Sequence, residues 1–134
     1  MKKFKIILIT VFSAIAIVGC EGAGDYEIEL INGFTVNRSS SEKICISSHE
    51  YSYEKVLIPT YDNYEDGEYV IEVGHDKDRY IVAKTNLNQY YIMNTMEIKV
   101  YGPLTEELFN NKKENLDISK DAILKTLDDM KITD

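Results

Sequence analysis

The longest apolar run of the chain lies between residues 6 and 18, and its pattern differs from that of every later segment. Residues 1–5 carry three lysines, the run itself is interrupted only by Thr10 and Ser13, and Gly19-Cys20 ends it. A basic head, an apolar stretch and a small residue before the cleavage point are typical of a secretory signal. As a helix the run would span about 20 Å, less than the roughly 30 Å hydrocarbon core of a bilayer. A removable signal is therefore favoured over a membrane-spanning helix.

From residue 25 onward, apolar and polar positions alternate, which is the pattern of half-buried β-strands. Tyr26, Ile28 and Leu30 fall on one side of the first run, and Asn32-Gly33 separates it from the next. Asn-Gly between alternating runs predicts a tight hairpin, because both residues accept a left-handed backbone. Further strands are predicted within residues 34–36, 44–46, 55–59, 68–74, 79–84, 90–94 and 98–100.

Two of these strands are rich in apolar residues at every position, and prolines punctuate the others. The high density of apolar residues in segments 79–84 and 90–94 predicts central strands that are covered on both faces. Pro59 is expected to end its strand or to place it on a sheet edge, and Gly102-Pro103 is expected to stop the last strand.

The period of the apolar positions changes after residue 103. Leu104, Leu108 and Phe109 recur at helical spacing between an acidic start and a basic end, which suits a helix dipole. A second helix is predicted from Ser119 as N-cap, with its apolar stripe on the same face of the sheet as the first. That stripe consists of Ile123, Leu127 and Met130. The predicted fold class is α+β: an antiparallel β-sheet meander of six to eight short strands with one or two C-terminal helices, forming a single domain over residues 25–134.

The charge balance narrows the possible partners. The chain has 15 Lys and Arg against 23 Asp and Glu, and removal of residues 1–19 takes away three lysines and no acid, which changes the net charge from −8 to −11. Nucleic acid is excluded as a partner because phosphate binding requires clustered Lys and Arg.

The stretch Ile17-Val18-Gly19-Cys20 resembles the lipobox of bacterial lipoproteins. The resemblance implies that the Cys20 thiol receives a diacylglyceryl group and that a signal peptidase cuts before it. Residues 1–19 would then be removed, residues 20–24 would form a lipidated tether, and the protein would sit on the outer face of the cell membrane. Two acyl chains give stable attachment, since each buried methylene contributes about 0.8 kcal/mol.

The chain has only two cysteines, Cys20 and Cys45. If Cys20 is lipidated, Cys45 has no second cysteine with which to form a disulfide, so no intramolecular disulfide is expected. Cys45 alternates with Ile44 and Ile46 and is interpreted as a small buried hydrophobe. A catalytic thiol assisted by His49 is the alternative, but no third orienting group is apparent.

Several short segments of the body, read together, resemble the small lipoproteins of Gram-positive bacteria grouped as domain of unknown function 3997. They are Gly24-Asp25-Tyr26-Glu27, Asn32-Gly33-Phe34, Arg38-Ser39-Ser40, residues 79–84, Tyr90-Tyr91-Ile92 and residues 101–105. The resemblance covers most of the chain after Cys20, except for residues 51–68. It implies a location and an architecture, and it transfers no functional site.

Motifs for metal binding and catalysis do not emerge from the sequence. Residues 62–67 begin like a calcium loop, but the third and twelfth positions are Tyr64 and Val73, so a solvated hairpin turn is favoured. The segment from Gly74 to Asp78 is interpreted as an ordinary polar turn. No nucleophile elbow, P-loop or zinc motif is present. We therefore expect no catalytic residue, no metal and no cofactor.

Tyrosine is the one compositional excess that suggests function. Tyr51, Tyr53, Tyr61 and Tyr64 crowd into one segment and form a candidate binding patch for a protein or a cell-wall glycan, because tyrosine offers a large rigid contact area. The alternative is that they pack over a sheet edge.

The leading hypothesis is a monomeric, membrane-anchored binding module. The second is an inhibitor or immunity-type protein that blocks a hydrolase or toxin through an acidic protrusion at residues 62–68.

Overall fold

The computed structural model describes residues 25–48 and 56–133. The signal, Cys20, the tether, His49, Tyr51 and Tyr53 lie outside these residues.

The first half of the described chain forms a four-stranded antiparallel sheet. Its strands follow one another in sequence order. They are β1 (Tyr26–Glu29), β2 (Phe34–Ser40), β3 (Lys43–Ser48) and β4 (Val56–Ile58). Asn32 and Gly33 adopt left-handed backbones, with φ of 54° and 82°, and join β1 to β2. The predicted Asn-Gly hairpin is confirmed.

The second half forms a five-stranded antiparallel sheet with the order β8-β7-β6-β5-β9. Its strands are β5 (Val70–His75), β6 (Tyr80–Thr85), β7 (Tyr90–Asn94), β8 (Lys99–Leu104) and β9 (Lys125–Thr126). All residues of β7 are buried, and so are all of β6 except Lys84, which confirms that both are covered on two faces. The prediction that Gly102-Pro103 stops the last strand is wrong. β8 continues to Leu104, since an edge strand tolerates a proline that cannot donate to a neighbour.

Three helices complete the described residues. They are α1 (Tyr61–Glu65), α2 (Glu106–Asn115) and α3 (Leu127–Thr133). The helix with an acidic start and a basic end is confirmed as α2, and the Thr105 side chain caps it by accepting a hydrogen bond from the Leu108 amide.

The helix predicted with Ser119 as N-cap begins seven residues later than expected, because α3 starts at Leu127 and Thr126 Oγ1 accepts the capping hydrogen bond from the Asp129 amide. Ser119 Oγ accepts a hydrogen bond from the Asp121 amide in a local turn, and Ile123 is 59% exposed. The backbone of this segment lies directly on β5, where a Cβ at Gly74 would overlap the Ile123 carbonyl. Pairing of Lys125 and Thr126 with β5 then keeps the chain extended up to Leu127.

The two sheets pack on each other, and α2 forms a third layer. One core contains the inner faces of both sheets together with Leu127 and Met130 of α3. The other core lies between the five-stranded sheet and α2, where Phe109 stacks on Tyr90 with 4.8 Å between ring centroids. The expectation that both helices cover one face is therefore wrong, because α2 and α3 pack on opposite faces of the five-stranded sheet. The α+β class is confirmed, and the described strands form two antiparallel sheets, in the second of which β9 returns to pair with β5.

Candidate functional site

The segment after β4 contains the part of the predicted tyrosine patch and acidic protrusion that is exposed in the structure. Residues 61–65 form α1, and only Asp66-Gly67 behaves as a turn, with Gly67 at φ 108°. The prediction of a hairpin turn over residues 62–67 is thus corrected. Tyr61 is 61% exposed. Asp62, Glu65 and Asp66 are also exposed, and together with Tyr61 they define what we call the α1 surface.

Tyr64 lies on the covered side of the same helix. The Lys43 ammonium sits 4.8 Å from the centroid of its ring, and Lys43 Nζ donates a hydrogen bond of 3.4 Å to its carbonyl oxygen. Burial raises the pKa of the Tyr64 phenol, and the neighbouring Cys45 adds to the effect. Tyr64 therefore packs against β3, while Tyr61 faces solvent. Because Tyr51 and Tyr53 lie outside the described residues, the four-tyrosine patch stays a prediction.

Directly after the turn, the chain buries a carboxylate. Glu68 is 1% exposed, although the sequence places it at the start of a polar-looking strand. The Thr85 hydroxyl donates to its Oε2 at 2.5 Å, and the Tyr91 hydroxyl donates to its Oε1 at 2.9 Å. The Gln89 amide, oriented with its nitrogen towards the carboxylate, donates to Oε2 at 2.8 Å. Three neutral donors from β6, β7 and the turn between them thus compensate the buried charge.

This network holds α1 against the five-stranded sheet. Asn63 of α1 donates to the Tyr91 hydroxyl at 3.5 Å, and its carbonyl accepts a 2.9 Å hydrogen bond from the Glu68 amide. Burial, together with the hydrogen bond and charge of Glu68, raises the pKa of Tyr91 to about 12, so the phenol remains a donor at neutral pH. Glu68, Thr85 and Tyr91 are buried, whereas Asn63 and Gln89 are partly exposed. The network ties α1 to the five-stranded sheet.

The polar turn after β5 is also structural. Asp76 Oδ1 accepts hydrogen bonds from the amides of Asp78, Arg79 and Tyr80 at 3.2, 2.8 and 2.9 Å. His75 Nδ1 lies 2.7 Å from the Asp76 carbonyl oxygen. Both side chains are thus engaged in holding the turn. Within residues 25–48 and 56–133, no three His, Cys, Asp or Glu side chains are grouped so that they could hold a metal ion.

Cys45 is a buried thiol on β3, 7% exposed, and it faces α1. Ile44 and Ile46 point to the opposite side, into the core between the sheets. The alternation read from the sequence is confirmed. In the part of the chain that the structure describes, no helix has the length and apolar character needed to cross a membrane.

The sequence analysis placed Glu68 in an exposed acidic protrusion and missed its buried hydrogen-bond network. Its donors lie 17 to 23 residues further along the chain, so no local spacing links them. The available signal was an acid directly after an Asp-Gly turn, two residues before β5.

Comparison with known proteins assigns the chain to a family. The model of a family described as Protein of unknown function (DUF3997) matches residues 31–130, which include β2 to β9, α1, α2 and the beginning of α3. No curated protein and no solved structure matches the chain. Since the matched segment covers most of the sequence and both cores, the chain belongs to the DUF3997 family.

Proposed function

We propose that this protein is a lipid-anchored, extracytoplasmic binding module held on the outer face of the membrane through Cys20. The observation that carries the proposal is the short separation along the sequence between Cys20, at the end of the lipobox-like stretch, and β1. β1 begins at Tyr26, six residues after the cysteine that ends the lipobox-like stretch. This spacing supports the proposal, since a tether of residues 20–24 would connect Cys20 to β1.

The α1 surface is the proposed contact for a protein partner. Tyr61 offers a large rigid area, and three carboxylates next to it select a basic partner. The Glu68 network holds this helix in one position before binding, which reduces the entropy lost when a complex forms.

The second candidate function is inhibition of a basic hydrolase or toxin. The exposed side chains of Asp62, Glu65 and Asp66 favour it, because a compact acidic protrusion can occupy a cationic cleft. Glu68 does not belong to this protrusion, since its carboxylate is buried.

Photo-crosslinking in intact cells tests the contact. A benzophenone amino acid at position 61 should give one major crosslinked product, whereas the same group at Leu108, which is 55% exposed on α2, should give none. Asp62→Asn, Glu65→Gln and Asp66→Asn together should reduce the yield at position 61 at least fivefold. An equal yield at both positions contradicts the proposal. If the captured partner is a hydrolase that the purified protein inhibits in a salt-sensitive manner, the inhibitor function is the correct one.

A further inference from the structure

A cleft lies at the end of the five-stranded sheet that is remote from α1. It opens between the turn that joins β5 to β6 and the segment that joins α2 to β9, and its volume is about 640 Å³. We call it the acidic cleft. Its charged lining has a net charge of −2 and consists of four aspartates and two cations: Asp76, Asp78, Asp117, Asp121, Lys77 and Arg79.

Asp76 is the buried member of this lining, and one of its two carboxylate oxygens has no donor. The residue is 7% exposed, and its Oδ1 accepts hydrogen bonds from three backbone amides of the turn. Its Oδ2 receives no hydrogen bond and no ion pair from residues 25–48 and 56–133. Within those ranges every fully buried side-chain oxygen and nitrogen has a partner, so Oδ2 is open to the cleft that Asp76 lines. A ligand in the cleft can therefore supply the missing donor.

The cations near the cleft leave its charge negative. In the part of the chain that the structure describes, no ion pair joins Lys77 or Arg79 to the four aspartates. Two further pairs of opposite charge at this end of the sheet do not change the balance; they are Lys120 with Glu114 and Lys99 with Glu97. The cleft thus favours a cationic group over an anionic one.

The spacing of the carboxylates favours a guanidinium over a metal ion. Among the described residues, no three His, Cys, Asp or Glu side chains are close enough to share a metal ion. The guanidinium of arginine presents five N–H donors in one plane and keeps its charge, so it can contact several separated carboxylates at once. The ammonium of lysine is a compact point charge.

The neighbouring turn exposes apolar side chains beside the cleft. Asn32 Nδ2 donates to the Asp78 carbonyl and to Thr95 Oγ1, which ties the turn after β5 to the turn after β7. The second of these turns leaves Met96 66% and Ile98 40% exposed. Ile98 has a left-handed backbone, with φ of 54°, which β-branched residues rarely adopt and which is typical of binding sites. Large exposed apolar side chains next to a charged cleft indicate contact with a protein.

We propose that the acidic cleft binds an arginine side chain of a protein partner. The guanidinium donates to Asp76 Oδ2, the exposed aspartates surround it, and Met96 and Ile98 pack against apolar residues that flank the arginine. The cleft is separate from the α1 surface, because α1 precedes β5 and the turn of the cleft follows it. The six residues of β5 place about 20 Å between the two. The proposal needs neither the anchor nor the α1 surface.

Binding of a short peptide to the protein purified from membranes in detergent tests the proposal. The probe is acetyl-Leu-Arg-Leu-amide, and the comparison peptide carries citrulline, which keeps the shape of arginine and loses its charge. NMR of the backbone amides gives the dissociation constant and the location of the contact. We expect shifts at Asp78, Ser119 and Asp121 and about tenfold tighter binding of the arginine peptide, because citrulline cannot form charge-assisted hydrogen bonds.

Two variants connect the binding to the carboxylates. Asp76→Asn keeps an oxygen for the three amides but places an NH₂ group at the position of Oδ2, so the two peptides should bind equally weakly. Because Asp76 also holds the turn, Asp117→Asn/Asp121→Asn guards against misfolding. Both positions are exposed, and the double variant should weaken binding of the arginine peptide about fivefold.

The matched control is Glu42→Gln/Glu107→Gln, which removes the same charge from exposed positions outside the cleft and should leave the dissociation constant unchanged. Equal affinity of the arginine and citrulline peptides for the unaltered protein, or equal weakening in the two double variants, overturns the proposal. A lysine peptide that binds as tightly as the arginine peptide overturns the choice of a guanidinium. If millimolar Ca²⁺ shifts the same amides and displaces the peptide, the cleft is a metal site and the proposal is wrong.

Discussion

The Tyr91 hydroxyl donates a hydrogen bond to the buried Glu68 carboxylate, with 2.9 Å between the two oxygens. The two residues are 23 positions apart, and the bond joins the segment that follows α1 to the interior strand β7. An ionised carboxylate is expensive to bury, so each donor that faces it has a large effect on stability.

We expect Tyr91→Phe to lower the free energy of unfolding by about 2 to 3 kcal/mol, because it removes one donor to a buried charge. Glu68→Gln should cost about as much, since the amide turns its NH₂ group towards other donors. Urea denaturation measures both values. The control is Tyr61→Phe, an exposed substitution that should change stability by less than about 0.5 kcal/mol. A Tyr91→Phe cost as small as that of the control would contradict the role of the network.

We expect the raised pKa of the Tyr91 phenol to lower the free energy of unfolding at alkaline pH. The pKa of Tyr91 is about 12 in the folded protein and about 10 in the unfolded chain, so the folded state binds the proton more tightly. Its contribution to stability is fully present below pH 10 and is lost as the pH rises towards 12, at up to about 1.4 kcal/mol per pH unit.

Denaturation from pH 9 to 11.5 should therefore show a stability difference between wild type and Tyr91→Phe that shrinks as the pH rises. Tyr26 and Tyr64, whose pKa values burial also raises, remain in both proteins and cancel in the comparison. A constant difference over this range is the contradicting result.

Gly74→Ala should destabilise the protein by about 1 to 3 kcal/mol, because the added methyl group would overlap the Ile123 carbonyl. Hydrogen exchange should locate the damage in β9, which pairs with β5 at Glu72 and Val73. Gly67→Ala is the informative comparison. No atom lies within 4 Å of its added Cβ, and its cost comes from φ 108° alone, so exchange in β9 should not change.

Asn32 combines a left-handed backbone with two hydrogen bonds between turns. Its side-chain amide donates to the Asp78 carbonyl at 3.0 Å and to Thr95 Oγ1 at 2.8 Å. Asn32→Gly keeps the backbone conformation but loses both hydrogen bonds, and we expect it to lower the free energy of unfolding by about 1 to 2 kcal/mol. Asn32→Ala should lower it by about 1 kcal/mol more, because alanine is strained in a left-handed backbone. Thermal denaturation should rank wild type above the glycine variant and the alanine variant last. Equal stability of the two variants would show that φ 54° is not strained for alanine.

Local signals in the sequence predicted local structure well. Asn32-Gly33 requires no tertiary context to form its turn, and the continuous apolar runs of β6 and β7 show burial on both faces directly. The acidic start and basic end of α2 likewise act within one helix.

Features that depend on distant residues were not predictable in this way. Ser119 looks like an N-cap, but contact of the following segment with Gly74 keeps the chain extended until Leu127. Glu68 looks like a surface residue because its donors belong to strands that come later. The Tyr26 ring contacts both Arg38 and Lys131, and no spacing rule connects β1 with α3.

The central claim is that Cys20 carries the lipid that holds this domain on the membrane. Mass spectrometry of the protein purified from membranes tests it most directly, through the mass of the peptide that precedes Tyr26. We expect residues 1–19 to be missing and Cys20 to be the N-terminal residue with a diacylglyceryl group, and Cys20→Ser should abolish partitioning into detergent. An unmodified Cys20 thiol, or a Cys20→Ser protein that still partitions into detergent, would contradict the account.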